Sequence, residues 1–276
     1  MKLLIFVFAI LTFASCSKNQ GTTTGDPFIG FTFTASSQAR TVAKHFLDQL
    51  LVLTIGRSYA SPPPGNLIDS ANNIVTIGTF WISVEKIEFK ANEVADSNEV
   101  DGSQVEFQGP YQIDLLATPG STLASGNIQV SDFHRLKYHT TTAGTLDSGA
   151  PSGLLNKTIY MSGTVNGNPF IFAPSNQVEI STAGSKLLSA KALDNILLQF
   201  NTANFFRKID LTTVGTGGLI TIHEGNVVSS TGACPLIDAS ANDLYNCFIQ
   251  GLSTESNVGR DSNGDAQLES GEESIK

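Results

Sequence analysis

The sequence predicts a mainly β protein: an antiparallel β-sandwich with one N-terminal amphipathic helix and a small C-terminal helix and loop appendage. Three observations carry this. Apolar residues recur with a period of two in short runs, and these runs are separated by Gly, Pro, Asn and Asp. Only 15% of the 276 residues are charged, and Gly, Ser, Thr and Asn are abundant, a bias toward strands joined by turns. There is no strand–helix–strand rhythm, so a parallel α/β sheet is not expected. The net charge of −9, with no basic stripe, argues against a nucleic-acid partner.

Residues 1–15 read as a targeting segment rather than structure. Lys2 supplies the positive start, and residues 3–13 are an apolar run too short to span a bilayer. Phe13-Ala14-Ser15 then precedes Cys16, and small residues before Cys match a lipoprotein signal. In such a signal Cys16 is acylated, typically with palmitate, and becomes the new N-terminus. Phe13 stands where Leu is usual, and a secretory signal cleaved near Ala14 is the rival reading. Residues 16–37 follow as lipidated Cys and Gly/Thr-rich tether. Ser17-Lys18 lacks the Asp that retains some lipoproteins at the inner membrane, which points to the outer membrane of a bacterial envelope.

The expected body, a helix plus β-sandwich domain, is 38–230. Val42, Phe46, Leu47, Leu50 and Leu51 fall at helical spacing within 38–53, and Ser61-Pro-Pro-Pro-Gly65 breaks the chain. Over 74–90 the apolar parity shifts: Val75 and Ile77, then Phe80, Ile82 and Val84, then Ile87 and Phe89. A strand changes faces only where it is bulged or bent. Val105, Phe107, Tyr111, Ile113 and Leu115 share one face of the next strand, with Gly109-Pro110 as a bend. Ile128, Val130, Leu136 and Tyr138 repeat the pattern. Residues 159–165 and 170–172 flank Asn166-Gly167-Asn168-Pro169, a hairpin signal. Ile196, Leu198 and Phe200 give a further strand, a short apolar turn covers 204–211, and 219–222 adds a last strand.

The appendage is 231–276. Leu244, Cys247, Phe248 and Leu252 share a helical face, with Asp238 or Ser240 as N-cap. The three cysteines are an odd count for an exported chain. With Cys16 lipidated, Cys234 and Cys247 remain as a pair. A bridge would close a loop of about 14 residues and contribute about 3 kcal/mol, and two independent buried thiols are the alternative.

The run Asp261-Ser-Asn-Gly-Asp-Ala-Gln-Leu-Glu-Ser-Gly-Glu272 has the ligand spacing of an EF-hand-type calcium loop. Asp261, Asn263 and Asp265 offer side-chain oxygens and Gln267 its backbone carbonyl. Glu269 acts directly or through water, and Glu272 closes the site with both oxygens. Ala266 stands where the turn normally needs Gly, and the four residues after Glu272 are too few for an exit helix. The expected ligand is Ca²⁺, bound at roughly 10⁻⁴ to 10⁻³ M as in extracellular modules. The opposing expectation is a solvated acidic tail. The loop resembles those of dockerins.

The span of about 75–211 is similar to a family of bacterial lipoproteins with an extracellular β-domain. The carrying features are residues 74–89, Tyr111-Gln-Ile-Asp-Leu-Leu116, Phe133-His-Arg-Leu-Lys-Tyr138 and Phe205-Phe206 with Ile209-Asp210-Leu211. The resemblance implies a prealbumin-like β-sandwich exported to the envelope, and it implies no reaction.

Catalytic patterns are weak. Asp147-Ser148-Gly149-Ala150-Pro151 and His45 share elements with chymotrypsin-like proteases, but Leu146 and Lys44 break both motifs. His134 and His139 lie five apart on a strand, an odd spacing that puts them on opposite faces. No metalloprotease, P-loop or dinucleotide motif is present. A non-catalytic binding or structural module, adhesin-like and facing a protein or polysaccharide partner, is the expectation. An envelope-polymer hydrolase and a carrier of a small apolar ligand are the alternatives.

Overall fold

A computed structural model describes residues 28–36, 67–91, 104–117, 121–127, 132–189, 194–263, 265, 267–269 and 271–276. Cys16, the helix expected over 38–53, and Ile128 and Val130 lie outside the described residues. The fold is mainly β, as expected, with few helices. One sheet has four strands in the order β12 (Ser256–Arg260), β10 (Asp194–Asn201), β1 (Phe28–Ser36) and β5 (Ser121–Asn127). The other runs β11 (Ile220–Ile222), β8 (Asn168–Phe172), β7 (Ile159–Val165), β3 (Ile74–Ala91), β6 (Asp132–Thr140) and β9 (Glu179–Ser189). On the opposite flank of β3 lie β2 (Leu67–Ile68) and β4 (Gln104–Asp114). β1–β10 and β8–β11 pair in parallel, so the sheets are mixed rather than purely antiparallel. Both pairs are joined through long stretches of intervening chain, which is what parallel neighbours require.

β3 is the spine, and its shifts of apolar parity have a direct structural cause. Pairing with β7 slips between Ile77 and Thr79, where burial passes from Val75 and Ile77 to Phe80, Ile82 and Val84. Pairing with β4 and β6 slips between Val84 and Lys86, after which Ile87 and Phe89 are buried. Each bulge adds one residue, at Gly78 and at Glu85, and so keeps one face apolar along all 18 residues. Opposite Glu85 stands Gly109-Pro110, joined by a cis peptide. A Cβ on Gly109 would lie 2.5 Å from the Val84 carbonyl oxygen, so only glycine fits there. The hairpin β7–β8 turns at Asn166 and Gly167, both at positive φ, as an Asn-Gly turn should.

The sheets meet through Phe80 and Phe200, whose rings lie edge to face at 5.5 Å. The described residues hold three α-helices: α1 (Thr202–Arg207), α2 (Thr212–Gly215) and α3 (Leu244–Thr254). Residues 204–211, expected as a turn, begin within α1, which Asn201 caps by accepting from the Asn204 N–H. On α3, Leu244, Cys247, Phe248 and Leu252 are buried, as the helical spacing predicts. Its N-cap is Asp243, which accepts from the Asn246 N–H at 2.7 Å, rather than Asp238 or Ser240. Asp238 instead holds its own turn, accepting from the Ser240 N–H and hydroxyl.

Phe248 packs edge to face on Phe205 at 5.2 Å and also touches Phe172. The stretch after Thr231, expected as an appendage, thus contributes to the same core as the sheets. Cys234 and Cys247 are bridged, both fully buried, with Cα atoms 5.9 Å apart. Residues 28–36, expected to belong to the tether, form β1 between β5 and β10. Their alternation of Phe31, Phe33 and Ala35 with Thr32, Thr34 and Ser36 is the strand signal.

Candidate metal centre in the 261–272 loop

The loop begins where β12 ends and returns along the same strand. The Arg260 N–H donates to the Glu273 carbonyl at 2.8 Å, Gly259 bridges antiparallel to Ser274, and the Ile275 N–H donates to the Val258 carbonyl. The Arg260 guanidinium pairs with the Glu273 carboxylate beside this ladder. The expected ligands therefore sit in the mouth of a hairpin. Leu268, the apolar residue of the motif, lies over Gly259.

Within the loop the side-chain oxygens organise the backbone. The Asp265 N–H donates to Asp261 Oδ1 at 3.2 Å and to Asn263 Oδ1 at 3.0 Å. Asp265 Oδ1 accepts from the Gln267 N–H at 2.9 Å. Glu272 reaches back across the loop: its two oxygens accept from the Ser262 N–H at 2.7 Å and the Glu269 N–H at 3.0 Å. Asp261 is buried at the base, whereas Asn263, Asp265 and Glu269 are exposed.

Partial desolvation of its carboxyl within the loop, together with the charges of Glu269 and Asp261, raises Asp265 although the residue as a whole is exposed. Burial, with Asp261 and Asp265, likewise raises Glu272. These carboxylates feel one another's negative charge, a field that a divalent cation would relieve. The donor chemistry, hard oxygens only, suits Ca²⁺. Each carboxylate oxygen that accepts one N–H retains a lone pair for a metal. Among the described residues, no three His, Cys, Asp or Glu side chains stand close enough to hold an ion as they are arranged here. The residues share one loop but are not at coordination distance. Gly264 and Ala266 lie outside the described residues.

A second cluster, on the outer face of β3, was not singled out from sequence. Glu88 is 5% exposed and takes ion pairs from Lys86, from Lys90 at 3.5 Å and from His139 at 3.6 Å. His139 is also 3.6 Å from Glu179, and Lys137 is 3.2 Å from Glu179. Burial alone would raise the Glu88 carboxyl. The Lys86 hydrogen bond and the charges of Lys90, Lys86 and His139 outweigh it and bring it down to about 2. Glu88 is thus a firmly ionised, fully engaged carboxylate that organises charge rather than moving protons. The signal was present: Lys86, Glu88 and Lys90 alternate with buried Ile87 and Phe89, so all three share the outer face.

The other half of the same outer face is uncharged. Thr76, Gly78, Ser162, Thr164, Ile171 and Leu219 line a shallow trough of about 360 Å³ there. The 147–151 loop is mostly exposed, and the Asp147 N–H donates to Gln112, an ordinary loop contact. His45 lies outside the described residues. No described helix is long and apolar enough to cross a membrane.

Comparison with protein-family models, with characterised proteins and with solved structures gives no match. The likeness to envelope lipoproteins and to dockerin-type loops therefore rests on the quoted residues alone.

Proposed function

We propose that the chain is a lipid-anchored bacterial envelope protein whose β-sandwich is a non-catalytic binding or structural module, carrying a weak Ca²⁺ loop at 261–272. The anchor is Cys16, acylated after removal of residues 1–15, at the outer membrane. A bridged Cys234–Cys247 pair agrees with export to an oxidising compartment. The partner is a protein or polysaccharide of the envelope or its surroundings.

The observation that carries the calcium assignment is that the two ends of the motif meet. Glu272, the twelfth residue, folds back to the N–H of Ser262, next to Asp261, the first. Drawn together around an ion, Asp261, Asn263, Asp265, Glu269 and Glu272 would hold it with side-chain oxygens and Gln267 with its carbonyl. The ion would supply charge neutralisation and rigidity to the hairpin.

The test is a Ca²⁺ titration of the purified chain by calorimetry and thermal melting, against a chelated control. With affinity in the expected range, roughly 10 mM Ca²⁺ raises stability by about 1.4 to 2.7 kcal/mol. For a body of this size that is a rise in Tm of about 3–10 °C. Unchanged melting and no heat of binding would remove the ion from the proposal. Intact-mass measurement of the mature protein tests the anchor independently, and a chain beginning anywhere but at an acylated Cys16 refutes it.

A further inference from the structure

Residues 273–276 occupy a slot between the edges of the two sheets. On one side the Ile275 N–H donates to the Val258 carbonyl of β12. On the other, the Lys186 N–H of β9 donates to the Ile275 carbonyl at 3.1 Å. Ile275 is fully buried between them. A Cβ on Gly184 would lie 1.8 Å from that same carbonyl oxygen, so β9 admits the segment only because residue 184 is glycine. The Lys276 ammonium completes the attachment by donating to the carbonyls of Thr254, at 2.7 Å, and Ser256, where α3 runs into β12. This four-residue segment thus stitches the four-stranded sheet to the eight-stranded one.

The two legs of this attachment are also the two legs of the candidate metal loop. Asp261 directly follows Arg260, the last residue of β12, and Glu272 directly precedes the docked segment. Repulsion among carboxylates at the hairpin mouth pushes the legs apart, and a shared cation draws them together.

We infer that ion binding in the 261–272 loop and docking of residues 273–276 between β9 and β12 form one coupled equilibrium, in which Ca²⁺ latches the segment that joins the sheets. This rests on the calcium assignment above. Linkage makes it reciprocal: whatever factor Ca²⁺ adds to docking, docking adds to Ca²⁺ affinity.

The experiment is amide hydrogen exchange on the full chain, with Ca²⁺ and with chelator, read at Lys186, Arg260 and Ile275. It is paired with calorimetric titration of the same protein and of Gly184→Ala and Ile275→Ser. Ca²⁺ is expected to slow exchange at these three amides about tenfold while leaving amides of β7 unchanged. Each substitution is expected to weaken Ca²⁺ binding by a similar factor. Ca²⁺ binding with unaltered exchange, or with the same affinity in both variants, overturns the coupling while leaving the metal site standing. Absence of Ca²⁺ binding overturns both. The exchange comparison needs no variant, so misfolding of either one does not protect the inference.

Discussion

The Asp69 carboxylate accepts from the Ala71 and Asn73 N–H groups through Oδ1, and from the Asn73 amide and the Leu211 N–H through Oδ2. One buried side chain thereby fixes the turn between β2 and β3 and ties it to the segment joining α1 and α2. Asp69→Ala leaves these donors, the buried Leu211 N–H among them, without this partner, and should cost about 2 kcal/mol in urea denaturation. Asp69→Asn, which keeps one oxygen, should cost less. A loss under about 1 kcal/mol for the alanine would show that the turn is held by other contacts. Glu88 makes a different prediction, in pH. Its folded value, about 2, lies below the ordinary glutamate range, so its contribution is fully present above about pH 4.5 and disappears as pH falls toward 2. After discounting for solvent screening on an open sheet face, this is about 1–2 kcal/mol. Glu88→Gln should therefore be less stable than the parent at pH 6, and the gap should shrink steadily below about pH 4.5 and be nearly gone at pH 2. A gap that stays constant over that window would mean that the ion pairs contribute nothing.

At the scale of elements, the double change of parity in β3 was legible because alternation is a local property, visible without knowing any partner strand. The same holds for the Asn166-Gly167 hairpin and for the buried stripe of α3. What escaped was set by distant chain. β12 reads Ser-Asn-Val-Gly-Arg, too polar to announce itself, and is a strand because β10 and residues 273–276 flank it. The parallel pairing of β1 with β10 depends on residues far apart in sequence, which no window contains. The N-cap of α3 was misplaced because Asp238, Ser240 and Asp243 all have capping chemistry, and only the helix start decides among them. Asp243→Ala should remove about 1 kcal/mol, whereas Asp238→Ala should change stability by less than half of that. Comparable losses from the two would place the cap wrongly.

For the whole molecule, the disulfide and the aromatic cluster work at the same end. Cys247 lies on α3 beside Phe248, whose ring meets Phe172, Phe205 and Phe206. Replacing both cysteines by serine should lower stability by about 2–5 kcal/mol, read as a lower urea midpoint. A small change would mean that the packing of Phe248 alone seats the helix. The 261–272 run was legible as a list of oxygen donors in order. Its placement in a hairpin between two sheet edges was not, because that depends on β9 and on a glycine at 184, both remote from the loop.

The two single-residue bulges in β3 carry a consequence for how this gene can vary. Substitutions along Ile74–Ala91 alter one side chain at a time, but loss of a single codon between the two bulges, at Trp81, would turn the residues from Ile82 to Val84 to the opposite face. Ile82 and Val84 would then leave the core and Ser83 would face into it, whereas loss of Glu85 removes only the extra residue of its bulge and leaves Val84, Ile87 and Phe89 on the same face. A library of point changes and single deletions through this strand, scored by protease resistance, should find position 85 permissive both to most replacements and to omission, and position 81 intolerant of omission.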